Sequence, residues 1–180
     1  GLVARKFERT EAEEEIIKEL HLLTEKPIMY IVNMDEGVGA LNVQVEEGVP
    51  QIPISAKLEA ELVDLSTEEA AQYMKDLGVV ETGLDKIIVA GYSLLGLITF
   101  FTSGVPETRA WTVKEGTKGP QAAGVIHTDF VKGYIKAEVT NWKDFVECSG
   151  WVGVKEKGKM RLEGKEYIVF DGDVCYFHIA

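Results

Sequence analysis

Apolar positions along the chain follow one rhythm in its first half and another in its second. In residues 8–23, ERTEAEEEIIKELHLL, Ile16, Ile17, Leu20 and Leu23 recur at helical spacing. Thr10 with Glu13 three residues on has the form of a capping box, and Lys26-Pro27 stops the helix. IMYIV at 28–32 is a short run of β-branched and aromatic residues, the pattern of a buried parallel strand, ending in Asn33-Met34-Asp35-Glu36 and then glycine. IPIS at 52–55 is a second such strand, ending in Ser55-Ala56-Lys57. Helices are predicted from Leu58 to Leu65, over 66–77 with Ser66 and Glu69 as its capping pair, and over 83–96 with Leu84, Ile87, Ile88, Tyr92 and Leu95 on one face. From Ile98 the pattern changes to short β-like runs between Gly and Pro turns: ITFFTS, RAWTV, GYIKAEV, YIVF and DVCYFHI. The Gly/Pro/Lys stretch after RAWTV reads as a loop. Short helices are expected near Ile126–Lys132 and Asn141–Glu147, and Lys165–Ala180 reads as a hairpin turning at Asp171-Gly172.

Charge sharpens this division. The chain has 180 residues, 46% hydrophobic and 27% charged, with a net charge of -11. Residues 1–103 carry 8 Lys+Arg against 19 Asp+Glu and so hold all of that charge, while residues 104–180 carry 11 of each. Phosphate contacts need positive charge, so the first half is a poor direct binder of nucleic acid, whereas the lysine-rich second half can present a basic face. The asymmetry suggests two domains. No apolar run reaches the roughly 18 residues of a membrane span, so no membrane partner is expected. The N-terminus is acidic and amphipathic, unlike a secretory signal. Cys148 and Cys175 are the only cysteines and have no CxxC spacing, which favours free thiols in a reducing, cytosolic setting.

Three groups of residues carry candidate chemistry. At the carboxyl ends of parallel strands, where open α/β sheets bind ligands, an amide and a carboxylate can read the hydrogen-bonding edge of a purine. Asn33 and Glu36 have those groups, and the backbone of Ser55-Ala56-Lys57 can reach the same base; ordinary strand-end turns would look alike. His127 beside Asp129 has no partnered nucleophile, so capping of the following helix by Thr128 or Asp129, or an interaction surface, competes with catalysis. Lys114, Lys118, Lys132 and Lys136, with Trp111 and Tyr134 between them, form either a basic aromatic face for RNA or a solvated lysine surface around an aromatic core. Lys155, Lys157, Lys159 and Arg161 have the spacing of an exposed loop or edge strand, and Asp171 and Asp173 are accounted for by turn chemistry.

The strand-end pair resembles the Asn-Lys-x-Asp and Ser-Ala-Lys base-recognition elements of P-loop GTPases, with Met34 in place of Lys and Glu36 in place of Asp. The longer Glu36 fits the two guanine N–H donors badly, so guanine preference should weaken. The Asn-x-x-Glu form resembles the YchF (Obg-like ATPase) family, whose members accept ATP. RAWTVKEGTKGPQAAGVIHTDFVKGYIKAEV and LEGKEYIVFDGDVCYFHI look like that family's TGS domain, and PISAKLEAEL and GLDKIIVAGYSLLGLITFFTSG match its layout, so the resemblance runs from about Leu20 to Ala180.

The resemblance implies an α/β chain: part of a P-loop NTPase parallel sheet with helices, followed by a ubiquitin-like β-grasp (TGS) domain. Residues 1–23 would be the tail of a helical coiled-coil insertion, 24–97 the C-terminal part of the nucleotide-binding domain and 98–180 the TGS domain. Asn33, Met34 and Glu36 would contact the base, supported by Ser55, Ala56 and Lys57. Lys114, Lys118, His127, Asp129, Lys132 and Lys136 would form an interaction surface. The chain contains neither GxxxxGK[ST] nor a DxxG segment, which the family places upstream, and residues 37–50 are fewer than the family's layout leads one to expect. The implied parent is a translation-associated hydrolase using ATP or GTP with Mg²⁺, partnered by the ribosome or RNA; this chain alone should bind and hydrolyse no nucleotide. The alternative is a stand-alone TGS-type RNA- or ribosome-binding or regulatory module.

Overall fold

The computed structural model describes residues 3–34 and 46–180. The chain separates into two units, Gly1–Leu94 and Leu95–Ala180. In the first, α1 (Glu11–Glu19) begins with the expected capping box: the Thr10 N–H and hydroxyl both donate to Glu13 at 2.8 Å. The helix is shorter than its apolar spacing predicts. His21 takes a left-handed φ of 48° just past its end, a conformation that terminates helices, and Ile16, Leu20 and Leu23 are exposed.

Strands β1 (Tyr30–Asn33) and β2 (Gln51–Ile54) pair in parallel, with Asn33 opposite Ile54. The ladder continues past the strand ends, where the Met34 N–H donates to the Ile54 carbonyl at 2.8 Å. Three helices follow: α2 (Ala56–Val63), α3 (Thr67–Asp76) and α4 (Gly83–Leu94). Ser66 and Glu69 form the second expected capping box, and the Ser66 N–H holds the Glu69 carboxyl below its ordinary range. Among the described residues of this unit, only Leu58 and Gly83 are buried; Ile31 on β1 and Leu84, Ile88, Val89 and Tyr92 on α4 are exposed.

The second unit contains β3 (Leu97–Ser103), β4 (Thr108–Lys114), α5 (Gly119–Ile126), α6 (Phe130–Gly133), β5 (Tyr134–Asn141), α7 (Trp142–Glu147), α8 (Trp151–Glu156), β6 (Arg161–Glu163) and β7 (Asp173–Ile179). Its sheet has the order β4-β3-β7-β5-β6. Strand β7 is parallel to β3 and antiparallel to β5, joining two antiparallel pairs into one sheet. This arrangement is a β-grasp. One face carries the core, built from Phe100, Val113, Tyr134, Ala137, Val139 and Cys175 against Ala122 and Ala123 of α5. Two alanines with no exposed surface let that helix lie close to the strands. Alternation turns Glu138 and its cross-strand partner Tyr176 to the opposite face. There α8 contributes Lys155, 2.8 Å from Glu138, and Trp151, whose ring meets Tyr176 edge-on.

Three expectations are corrected. The Gly/Pro/Lys stretch is not all loop: α5 begins at Gly119-Pro120, where proline's missing N–H costs nothing, and the helix expected near Ile126–Lys132 resolves into the end of α5 and the short α6. Residues 151–156 form an unforeseen helix. Lys165–Ala180 is not a hairpin, because β3 and β5 occupy both sides of β7 and leave no place for YIVF. Instead Val169 enters the core, its N–H donating to the Thr117 carbonyl at 2.9 Å, and Asp171 accepts the Thr99 N–H at 2.8 Å.

Candidate functional site

Parallel pairing brings the carboxyl ends of β1 and β2 side by side, and with them two of the stretches singled out in the sequence. The side-chain oxygen of Asn33 accepts the Ala56 N–H at 3.0 Å. That bond ties the first strand end to the loop following the second and leaves the Asn33 carboxamide two N–H donors. Ser55 caps α2, its hydroxyl accepting the Leu58 N–H at 3.2 Å, so Ser55-Ala56-Lys57 forms the strand-to-helix turn. Ala56 and Lys57 are exposed, and Met34 is half-buried. The Lys57 ammonium lies 3.7 Å from Glu61 one turn along α2, and Glu61 also accepts the Tyr73 hydroxyl at 2.6 Å, which joins α2 to α3. The result is an open strand end with amide donors, a backbone turn and a lysine, groups suited to the polar edge of a heterocycle. Glu36, the carboxylate assigned to the same site, lies outside the described residues.

One tie at this site is not visible in the sequence. Glu59, in the first turn of α2, accepts the Gly83 N–H at 2.6 Å and so links the turn to the start of α4. The two residues are 24 positions apart, and no local signal marks them as partners.

The second set of residues is spread over the β-grasp unit. Lys114 ends β4 opposite Leu97, the first residue of β3. Lys136 pairs with His178, three residues beyond the Cys175 that adjoins Thr102 of β3. The two lysines therefore lie at opposite ends of the sheet, roughly 26 Å apart along the strands at about 3.3 Å per residue. Lys118 precedes α5 and pairs with Glu166 at 2.6 Å, which holds that carboxyl below its ordinary range. Lys132 and Lys136 flank the start of β5.

His127 and Asp129 lie in the turn between α5 and α6. The His127 Nδ1 accepts the Asp129 N–H at 3.3 Å and stands 3.5 Å from the Asp129 carboxylate, with its ring against Phe130. Neither Thr128 nor Asp129 caps α6 with its side chain; the imidazole takes the backbone proton instead. Of the interleaved rings, Tyr134 is buried, and burial pushes its phenol up to about 12. Trp111 donates to the Thr102 hydroxyl at 2.8 Å and is covered by Arg109, so neither ring stands free between lysines. In the second basic cluster, Lys159 is claimed by Asp144 and Glu147, and Arg161 by the buried Asp173. An open cavity of about 950 Å³ in this unit is lined by apolar residues, Val105, Pro106, Phe145, Val146, Trp151 and Tyr176 among them, and by none of the singled-out lysines. Among the described residues, no group of three or more His, Cys, Asp or Glu could hold a metal ion, and no helix is long and apolar enough to cross a membrane.

Comparison with known proteins gives a consistent result. Residues 97–180 match the family model YchF-GTPase_C, described as "Protein of unknown function (DUF933)". The chain is 46% identical over 185 residues to the ribosome-binding ATPase YchF of Bacillus subtilis, covering 97% of this chain and 50% of the relative. It is 48% identical over 169 residues to the protein of the same name from Haemophilus influenzae, covering 89% and 47%. Among solved structures, the YchF GTPase of Schizosaccharomyces pombe superposes with a TM-score of 0.81 at 36% identity, over 97% of this chain and 49% of that one. The chain spans about half the length of the curated relatives it matches.

Proposed function

Because the chain belongs to the YchF family of Obg-like ATPases, we propose that it is the C-terminal portion of a nucleotide hydrolase that works on the ribosome. The Asn33–Ala56 hydrogen bond is the observation that supports this reading: it ties the end of β1 to the turn that follows β2. In the proposal Asn33, Met34 and Glu36 contact the base, and Ser55, Ala56 and Lys57 support it. ATP or GTP is the ligand. The phosphate cradle and Mg²⁺ site belong to a part of the parent outside this sequence, so the chain alone is inactive. The exposed apolar residues of β1 and α4 suit a sheet that continues in such a parent.

The second unit acts as a TGS-type docking module, with residues 1–23 as the tail of a helical insertion and 24–97 completing the nucleotide-binding domain. Lys114, Lys118, His127, Asp129, Lys132 and Lys136 are its candidate contacts with the ribosome or RNA. The acidic first half argues against free, sequence-independent RNA binding.

The test is base preference in the full-length gene product. Replacing Met34→Lys together with Glu36→Asp should move the ATP/GTP affinity ratio toward GTP. An unchanged ratio would refute the assignment of this strand end. For the docking module, Lys132→Glu with Lys136→Glu should weaken co-sedimentation with ribosomes while nucleotide affinity stays as it was.

A further inference from the structure

The turn carrying Ser55, Ala56 and Lys57 needs an anchor on its far side. Asn33 holds it from β1, at Ala56. Two residues bracket the turn, Ile54 just before it and Glu59 two residues after it, in the first turn of α2, and both meet the same glycine. The Gly83 N–H donates to Glu59 at 2.6 Å, and a Cβ built on Gly83 would stand 2.8 Å from the Ile54 Cγ2, 2.9 Å from its Cβ and 3.0 Å from the Glu59 carboxylate. Real Cβ atoms essentially never sit so close. Ile54 is β-branched and stiff, so it cannot swing clear.

The chemistry at the start of α4 points the same way. The first N–H groups of a helix have no partner within it. Thr82 accepts the Asp85 N–H at 3.0 Å, while its own hydroxyl donates to the Asp85 carboxylate at 2.7 Å. The Gly83 N–H goes elsewhere, to a carboxylate from another helix. Glu59 thus directs its carboxylate, two residues from the candidate base site, to a buried backbone donor within the protein.

We propose that Glu59 and Gly83 are positioning residues for the base site: they set where the Ser55–Lys57 turn stands relative to Asn33, and thereby the affinity for the nucleotide base, without touching it. The inference rests on the base-site reading given above. Hydrogen bonds weaken steeply as angle and distance drift, so a shift of a few tenths of an ångström in this turn is felt at the base edge. The phosphates and the reacting bond are held elsewhere in the parent. A displaced turn should therefore weaken binding of substrate and transition state alike, raising KM and sparing kcat.

The experiment is steady-state ATP hydrolysis by the full-length gene product carrying Glu59→Ala, Glu59→Gln, Gly83→Ala or Asn33→Ala. Glu59→Ala and Gly83→Ala should each raise KM for ATP about fivefold, the equivalent of one lost hydrogen bond, with kcat kept within about twofold. Glu59→Gln retains an acceptor oxygen and should keep KM near the parent value. Glu59→Ala adds no bulk, so it stands as the test if Gly83→Ala fails to fold. The inference is overturned if KM is unchanged in Glu59→Ala, or if kcat falls while KM stays, the mark of a merely structural role. Asn33→Ala separates the two levels. If it raises KM and Glu59→Ala does not, only the positioning role falls; if it too leaves KM unchanged, the base-site reading falls with it.

Discussion

Asn33 and Ala56 are 23 positions apart in sequence and share one hydrogen bond of 3.0 Å, from the Ala56 N–H to the Asn33 side-chain oxygen. The bond exists because β1 and β2 run parallel with Asn33 opposite Ile54, which puts Ala56 two residues past the point of register. An asparagine at that strand end thus does two jobs: its oxygen orders a turn, and its nitrogen offers donors.

This division of labour is open to test by amide exchange on the chain itself. Asn33→Ala removes the acceptor, and the Ala56 amide should exchange about fivefold faster, matching a net hydrogen bond of about 1 kcal/mol. Asn33→Asp keeps an acceptor oxygen and should leave that amide protected. Equal exchange in both variants would show that the contact does not order the turn.

Asp173 is 3% exposed and accepts from the Tyr167 hydroxyl at 2.6 Å, the Phe170 N–H at 2.9 Å and Arg161 at 3.3 Å. Asp173→Ala removes the acceptor of the Tyr167 hydroxyl and the Phe170 N–H, while Arg161 keeps Glu163 and the Tyr167 oxygen, and should cost about 3 kcal/mol in urea unfolding of the second unit. A cost below about 1 kcal/mol, the level of a surface ion pair, would contradict this account.

Gly153 sits where a side chain would collide with the Cys148 carbonyl oxygen, at the close approach of α7 and α8. Because the obstacle is backbone, it cannot rotate away, and Gly153→Ala should lower stability by about 3 kcal/mol. Gly158→Ala is the comparison: a Cβ there meets nothing within 4 Å, so only its φ of +68° opposes the change, at a cost of roughly 1–2 kcal/mol. Thermal melts of the two variants should rank in that order.

The Glu138 carboxyl is held below its ordinary range, first by the hydrogen bond from Lys155 and also by His178. A depressed carboxyl stabilises the fold fully above its unfolded value, near 4.5, and loses that contribution as pH falls through the folded value. Stability should therefore drop on acidification below about pH 4.5, and Glu138→Gln should flatten that part of the curve. An identical acid branch in the variant would remove Glu138 from the explanation.

What could be read from the sequence was local. Thr10 with Glu13 and Ser66 with Glu69 announced two helix starts because a capping box lies within four residues. Asn33 and Ser55 stood out because polar residues ending apolar runs mark strand ends. The misread parts depended on distant partners. Asp171-Gly172 has hairpin chemistry, but β7 is claimed by β3 and β5, so the turn feeds a central strand. Gly153 has no signal of its own in the sequence; the backbone carbonyl that excludes a side chain there belongs to Cys148, at the end of α7. The Glu59–Gly83 contact joins two helices with nothing in either segment to announce it. The helical spacing of Ile16 and Leu20 was legible, yet periodicity does not say whether a face is covered, and here both are exposed.

The position of β7 bears on how the second unit comes into being. It is the last of the five strands in chain order and the third in the sheet, so the β3–β4 hairpin and the β5–β6 pair have no common partner until it is made. Each half keeps an unpaired edge until Asp173–Ile179 is placed between them, and that one strand closes both. Completing this sheet is then a long-range event, slow by the measure of sequence separation, because β7 must pair with β3 across roughly seventy residues.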